Sequence, residues 1–121
     1  MAMTALIVDD HRLFRSSARL LLEAEGFEVI GEADDGVSAI TAAAALRPEF
    51  VLLDVQLPDM TGFLVARQIL DRGHAGQVVL VSSRAKSDYG EQISESGAIG
   101  FIPKDELSPD SIHALLEPGR L

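Results

Sequence analysis

Short runs of apolar residues recur along the chain, and most are followed by stretches in which apolar residues are spaced three or four apart. The continuous runs predict strands buried on both faces, and the spaced stretches predict amphipathic helices. The predicted strands are Ala5–Val8, Glu28–Glu32, Val51–Asp54, Val78–Val81 and Ile99–Ile102. Because strands and helices alternate, the pattern predicts an α/β fold with a parallel sheet that helices cover on both faces.

Glycine, proline and capping side chains set the expected ends of the helices. The predicted helices cover about 12–25, 37–47, 63–70, 87–96 and 108–117, and a short tail follows at 118–121. Ser108 offers a capping hydroxyl and Pro109 suits the first helical turn, so the last helix has a clear start. The segment Ser87–Ser96 is the weakest of the five, because it is polar and contains Gly90.

Composition narrows the class of protein. A chain of 121 residues suits one domain, 1–121, with a substantial core. It has no cysteine, which excludes disulfides and thiolate metal sites and fits a cytoplasmic location. The net charge of −9 and the scattered basic residues argue against direct nucleic-acid binding. Neither a signal peptide nor a membrane span is recognisable in the sequence.

Polar side chains stand at the ends of four predicted strands. They are Asp9 and Asp10, then Asp54, Ser82 and Lys104. Since the carboxyl ends of parallel strands meet at one edge of the sheet, these groups are expected to converge there. Three carboxylates at one edge repel one another unless a cation shares the site, and Mg2+ prefers such oxygen ligands. The sequence therefore predicts a magnesium site at this edge.

Each of these residues also has a simpler structural explanation. One aspartate after a strand commonly caps the next helix, a lysine is usually a surface charge, and a serine is often only a strand-end hydroxyl. The functional interpretation rests on their shared position. The three histidines, His11, His74 and His113, lack zinc-ligand spacing and are expected to be solvated or on helix surfaces. No glycine-rich phosphate-binding loop follows any predicted strand.

In combination, the motifs resemble the receiver domain of two-component response regulators, from about Thr4 to Leu116. The motifs that carry the resemblance are Val8-Asp9-Asp10, Leu53-Asp54 with Pro58 and Gly62 downstream, Val81-Ser82, and Gly97 to Lys104. The resemblance implies a flavodoxin-like three-layer sandwich whose parallel sheet has the strand order 2-1-3-4-5. It also implies a domain that is not an enzyme in the usual sense and catalyses only its own phosphorylation and dephosphorylation.

The resemblance assigns a role to each site residue. Asp54 would accept the phosphoryl group, and Ser82 and Lys104 would bind it. Mg2+, or Mn2+ in its place, would be held by Asp10, by Asp54, by Asp9 through water, and by the backbone carbonyl of Gln56. Ser82 and Phe101 would form the switch, with output on the face made by the fourth helix, the fifth strand and the fifth helix. Gln56 and Arg84 would tune the lifetime of the phosphorylated form.

The stretches Asp9–Arg15 and Lys104-Asp105 resemble the branch whose members often carry a LuxR-type output domain. The implied partners are a sensor histidine kinase or a phosphotransfer protein, and the output face offers a surface for a homodimer. The chain is expected to be a stand-alone receiver or the receiver half of a longer regulator. Ser83 stands where a smaller alanine is usual, which would alter access to the phosphoryl group.

Three other functions remain open at this point. A phosphatase with an aspartyl nucleophile would need a second acid two residues after Asp54, where Gln56 stands. A flavodoxin would need a loop rich in hydroxyls and glycine after the first strand, where Asp9 and Asp10 would repel phosphate. A receiver-like module could also bind partners without being phosphorylated.

Overall fold

The computed structural model describes residues 2–116. Strands and helices alternate along this part of the chain. In chain order the elements are β1 Thr4–Val8, α1 Arg12–Ala24, β2 Glu28–Ala33, α2 Gly36–Leu46, β3 Phe50–Asp54, α3 Gly62–Asp71, β4 Gln77–Ser82, α4 Gln92–Glu95, β5 Gly100–Pro103 and α5 Pro109–Leu116. Short 3-10 helices at Lys86–Asp88 and Lys104–Glu106 follow β4 and β5.

All five strands pair in parallel, in the order β2-β1-β3-β4-β5. The predicted flavodoxin-like strand order is therefore confirmed. Val8 lies opposite Leu53, and Asp54 lies opposite Val81. Because of this register, β1, β3 and β4 end at the same edge, and the residues that follow them start from neighbouring points.

Two apolar cores flank the sheet, as the doubly buried strands predict. In β3, Val51 and Leu53 face the core packed by α2, α3 and α4, whereas Phe50 and Leu52 face the core packed by α1 and α5. All four side chains are fully buried. The three-layer sandwich is confirmed, and β3 is its central strand, so Asp54 is anchored by the most buried element of the fold.

The predicted helix over Ser87–Ser96 is wrong for most of its length. A 3-10 helix covers Lys86–Asp88, and α4 has only four residues, Gln92–Glu95. Between them Gly90 has a φ of 58°, a left-handed conformation that interrupts a right-handed helix. Ile93 is the one buried side chain of α4. A single turn with one anchor gains little from packing, so this segment is weakly held.

The last helix begins where the sequence predicts. Its first residue is Pro109, and the Ser108 hydroxyl accepts a hydrogen bond from the backbone N–H of Ser111 at 3.1 Å. The expected end near residue 117 and the tail at 118–121 lie outside the described residues. Within residues 2–116, every helix is too short or too polar to span a bilayer.

Candidate functional site

The three predicted acids converge at the edge of the sheet. Asp9 and Asp54 are buried, with exposed fractions of 0% and 3%, while Asp10 is exposed. One ligand atom from each of these residues and one from His11 all lie within 4.8 Å of one another. His11 was expected to be solvated. Its side chain is largely exposed, but its Nδ1 lies 3.1 Å from a carboxylate oxygen of both Asp9 and Asp10.

Lys104 brings its ammonium into this acidic cluster. Its Nζ lies 2.7 Å from Asp9 Oδ2 and 3.4 Å from Asp54 Oδ2. The lysine starts the 3-10 helix after β5 and extends back across the sheet edge, and its Nζ sits 4.5 Å from the centre of the Phe14 ring. One cation therefore bridges two buried carboxylates, which compensates their charge only in part.

Burial raises the pKa of Asp54 to about 6, and the neighbouring negative charge of Asp9 adds to the increase. Lys104 and a hydrogen bond from the Gln56 N–H oppose the increase without cancelling it. Asp9 Oδ2 is buried, and its close partner is the Lys104 ammonium at 2.7 Å. Among the described residues, Lys104 and the nearby N–H groups therefore stabilise only part of the negative charge that the three acids bring to the site.

Contacts from β2, from α1 and within the turn itself hold Asp9 in place. The Asp9 N–H donates to the Ala33 carbonyl at 3.0 Å, and Arg15 Nη1 donates to the Asp9 carbonyl at 2.7 Å. The His11 N–H donates to Asp9 Oδ1 at 2.8 Å. Arg15 also pairs with Glu32 of β2 at 2.9 Å. The buried carboxylate is thus fixed by its backbone as well as by its side-chain contacts.

The loop after β3 is closed on itself and packed against the strand. The Gln56 N–H donates to Asp54 Oδ1 at 3.3 Å, and Gln56 pairs with Thr61 in an antiparallel bridge. Gly62 is needed at its position, because a Cβ there would overlap the Asp54 carbonyl oxygen. The loop therefore holds the Gln56 backbone close to Asp54. Its carbonyl as a metal ligand stays a prediction.

Asp59 ties the same loop to the start of α2. Its carboxylate accepts the backbone N–H groups of Gly36 and Val37 at 2.7 and 3.0 Å. These hydrogen bonds lower the pKa of Asp59, because they favour the charged carboxylate. Sequence reasoning identified the loop by its turn residues but did not identify this contact.

Ser82 is fully buried. It follows Val81, the β4 residue that lies opposite Asp54. Its Oγ lies 2.7 Å from the Tyr89 hydroxyl and accepts the Arg84 N–H at 3.1 Å. Its hydrogen bonds therefore run to the segment after β4 and not to Asp54. Ser83, the next residue, is exposed.

Phe101 has an exposed fraction of 8%, so the predicted switch residue is in a buried position. The Tyr89 ring packs between Phe101 and Phe63, at centroid distances of 5.7 and 5.3 Å. Tyr89 lies in the segment that the sequence predicts only as a weak helix, and its contact with Ser82 was not predicted. Tyr89 is the single tyrosine of the chain, which alone does not indicate a role. No strand or helix period relates it to Ser82, because an irregular turn lies between them.

The other two histidines are more constrained than predicted. His74 is partly buried in the loop after α3, and its Nδ1 is buried without a hydrogen-bond partner in the described residues. His113 of α5 lies 3.0 Å from Glu25 and stacks on Phe27. Neither residue belongs to the acidic cluster.

Comparisons with known proteins agree with this geometry. Residues 5–117 match the response regulator receiver domain family. The chain is 36% identical to the virulence transcription regulator BvgA of Bordetella pertussis over 90% of its own length, and it spans about half, 52%, of that relative. The signal receiver domain of NarL from Mycobacterium tuberculosis has 32% identity, a TM-score of 0.85 and 98% coverage of each chain.

A LuxR-family response regulator from Aurantimonas sp. SI85-9A1 is also similar. It has 27% identity and a TM-score of 0.85, with 98% of this chain and 84% of that chain covered. The family match over nearly the whole sequence, on a sheet with this strand order, shows that the chain belongs to the response regulator receiver domain family, with relatives in the LuxR-type branch.

Proposed function

We propose that the domain is the phosphoacceptor of a two-component signalling system, with Asp54 as the residue that is phosphorylated. The observation that carries the proposal is the environment of Asp54. It is a buried carboxylate at the end of the central strand, with Lys104 3.4 Å away and two further acids and His11 within the same 4.8 Å cluster. A sensor histidine kinase or a phosphotransfer protein would supply the phosphoryl group.

The donor set of the site fits a hard divalent cation. Carboxylate oxygens dominate it, and three acids share the single ammonium of Lys104, so the cluster has an excess of negative charge. Mg2+ favours such oxygen donors, and Mn2+ can share them. Asp9, Asp10, Asp54 and the Gln56 carbonyl would hold the ion. When bound, it would supply positive charge that stabilises the oxygens of the phosphoryl group.

Asp54, Lys104 and Ser82 would have different roles in the phosphoryl transfer. An Asp54 oxygen forms the new O–P bond while the P–N bond to the donor histidine breaks, and the imidazole leaves with the electron pair. Lys104, already beside Asp54, pairs with a phosphoryl oxygen. Ser82 donates a hydrogen bond to another phosphoryl oxygen. Gln56 and Arg84 tune the lifetime of the phosphorylated form by positioning or blocking water.

The direct test uses a small phosphodonor. Incubation of the domain with acetyl phosphate and Mg2+ should add one phosphoryl group, as seen by intact-mass analysis, and addition of EDTA should prevent it. Metal-dependent addition of this kind supports the proposed function. If no addition occurs in either condition, the competing function, a receiver-like module that binds partners without phosphorylation, is favoured.

Mg2+ alone should raise the thermal stability of the domain, because it binds the native state and relieves repulsion among the acids. At a concentration of about ten times Kd the gain would be about 1.4 kcal/mol. Asp10→Ala should lose this response, whereas Asp71→Ala, an exposed acid at the end of α3, should keep it. An undiminished response of Asp10→Ala in differential scanning fluorimetry would mean that the ion binds elsewhere.

The relatives that the chain matches are transcription regulators, and this supports an output in transcription. The residues 1–121 would act as one receiver domain, either alone or as the receiver half of a longer LuxR-type regulator. Signalling would take place in the cytoplasm. The face formed by α4, β5 and α5 would carry the output, by forming a homodimer or by contacting another protein.

A further inference from the structure

Ser82 has a partner that the phosphoryl chemistry does not require. Its Oγ and the Tyr89 hydroxyl lie 2.7 Å apart, and the Arg84 N–H donates to the same oxygen. Both partners belong to the segment after β4, whereas Asp54 belongs to the neighbouring strand β3. The Ser82 hydroxyl is therefore directed along its own chain and is held there by two hydrogen bonds.

A phosphoryl group on Asp54 would compete for this hydroxyl. Phosphoryl oxygens only accept hydrogen bonds, so the Ser82 hydroxyl must turn toward them to donate, whichever of the two hydroxyls is the donor in the Ser82–Tyr89 pair. Turning the Ser82 side chain from one staggered rotamer to another moves its oxygen by roughly 2 Å. A displacement of that size takes a 2.7 Å contact beyond hydrogen-bonding distance.

We propose that Tyr89 is a second switch residue of this domain: its hydroxyl holds Ser82 in the unphosphorylated state, and phosphorylation of Asp54 breaks that hydrogen bond and releases Tyr89. The inference rests on the proposed phosphorylation of Asp54. It goes beyond a switch made of Ser82 and Phe101, because Phe101 has no hydroxyl and responds only to the space around it.

The surroundings of Tyr89 suit this role. Its ring contacts Phe63 of α3 on one side and Phe101 of β5 on the other. Its backbone lies between a 3-10 helix and Gly90, in the segment that has few buried anchors. Loss of one hydrogen bond can shift such a segment, because the residues around the Tyr89 ring, 86–88 and 90–92, are exposed and add little packing. The release of Tyr89 would therefore carry the signal to α4 and β5.

The chain offers a direct probe, because it contains one tyrosine and no tryptophan. Incorporation of fluorotyrosine would give a single fluorine NMR signal from the protein, that of Tyr89, which is resolved from the signals of fluoride and beryllofluoride. The probe ligand is beryllofluoride with Mg2+, a mimic of the phosphoryl group. When beryllofluoride is added to the unsubstituted chain, the Tyr89 signal should shift. Its new position should match that of Ser82→Ala without beryllofluoride.

Two serine variants test the link itself. In Ser82→Ala, at a beryllofluoride concentration at which backbone amide shifts show that the ligand is bound, the fluorine signal should stay where it is, because the hydrogen bond is already absent. Ser83→Ala removes the neighbouring exposed hydroxyl and should respond like the unsubstituted chain. An equal response in Ser82→Ala would overturn the proposal.

Tyr89→Phe separates a switch from a merely structural residue. Removal of the competing hydroxyl should tighten beryllofluoride binding by about two- to tenfold, as expected for one hydrogen bond, in a titration followed by backbone amide shifts. A residue that only supported the fold would weaken binding when changed. Unchanged or weaker binding in Tyr89→Phe overturns the proposal.

Intact-mass analysis with acetyl phosphate distinguishes the two ways of failing. If Asp54 is phosphorylated and the Tyr89 signal does not move, the inference is wrong and the proposed function stands. If no phosphoryl group is added and beryllofluoride does not bind, the proposed function fails and the inference fails with it. The proposed function and the inference are both supported if Asp54 is phosphorylated and the Tyr89 signal shifts in Ser83→Ala but not in Ser82→Ala.

Discussion

Asp54→Asn is expected to take up no phosphoryl group from acetyl phosphate and Mg2+, whereas the unsubstituted domain takes up one. An amide oxygen is a much weaker nucleophile than a carboxylate oxygen, so the O–P bond should not form. The substitution hardly changes the size of the side chain, and the amide oxygen can still accept one of the two hydrogen bonds that the carboxylate accepts, from the Gln56 N–H or from Lys104. Intact-mass analysis measures the difference directly.

The matched control is Asp71→Asn, which makes the same chemical change at an exposed position at the end of α3. It should be phosphorylated as fully as the unsubstituted domain. Circular dichroism should show both variants to be folded, so that loss of labelling cannot be ascribed to unfolding. If Asp54→Asn were labelled as fully as Asp71→Asn, another carboxylate of the cluster would be the acceptor.

The strands and the acidic edge of the sheet could be predicted because they depend on the order of apolar and polar residues within short stretches of sequence. Continuous apolar runs such as Val51–Leu53 define strands buried on both faces, and the residue directly after such a run must lie at the sheet edge. For that reason Asp9, Asp54 and Ser82 could be placed from the sequence. The strand order was not in the pattern itself and came from the resemblance to a family.

Two of the contacts that could not be predicted from the sequence cross irregular turns. His11 turns back onto Asp9 and Asp10, and Tyr89 reaches Ser82 from beyond a 3-10 helix. Neither spacing has a helical or strand period, so periodicity gave no signal. The segment over Ser87–Ser96 failed for a related reason. Its apolar residues are compatible with a helix, but the left-handed Gly90 interrupts it.

A second large effect is expected for the same substitution when stability is measured instead of labelling. In EDTA at neutral pH, Asp54→Asn should be more stable than the unsubstituted domain by about 1 to 3 kcal/mol. The upper figure corresponds to a pKa that is raised by about two units, at 1.36 kcal/mol for each unit. A neutral amide escapes the cost of burying a charge beside Asp9, which is what raises the pKa of Asp54.

The pH dependence follows from the direction of that shift. The pKa of Asp54 is about 6 in the folded domain, and an unperturbed aspartate has a pKa of about 3.9. Between these values the folded state binds more protons than the unfolded state, so stability falls as pH rises from about 4 to about 6. The advantage of Asp54→Asn should therefore be near zero at pH 4 and reach its full size above about pH 7.

Thermal unfolding at a series of pH values measures this difference. For a domain of this size, each 1 kcal/mol corresponds to a melting-temperature change of about 3 to 6 °C. Asp71→Asn serves as the control again, because its side chain is exposed and should leave stability nearly unchanged at each pH. Saturating Mg2+ should reduce the advantage of Asp54→Asn, since the ion stabilises the charged form in the unsubstituted domain.

The two measurements on Asp54 together decide whether the site is poised for phosphorylation. A buried carboxylate that costs stability persists only where some function needs it, because most proteins avoid such groups in their cores. If Asp54→Asn were less stable than the unsubstituted domain in EDTA at neutral pH, the pairing of Asp54 with Lys104 would outweigh desolvation. The acidic edge would then be a structural ion-pair network, and burial of the Asp54 charge beside Asp9 would not cost stability.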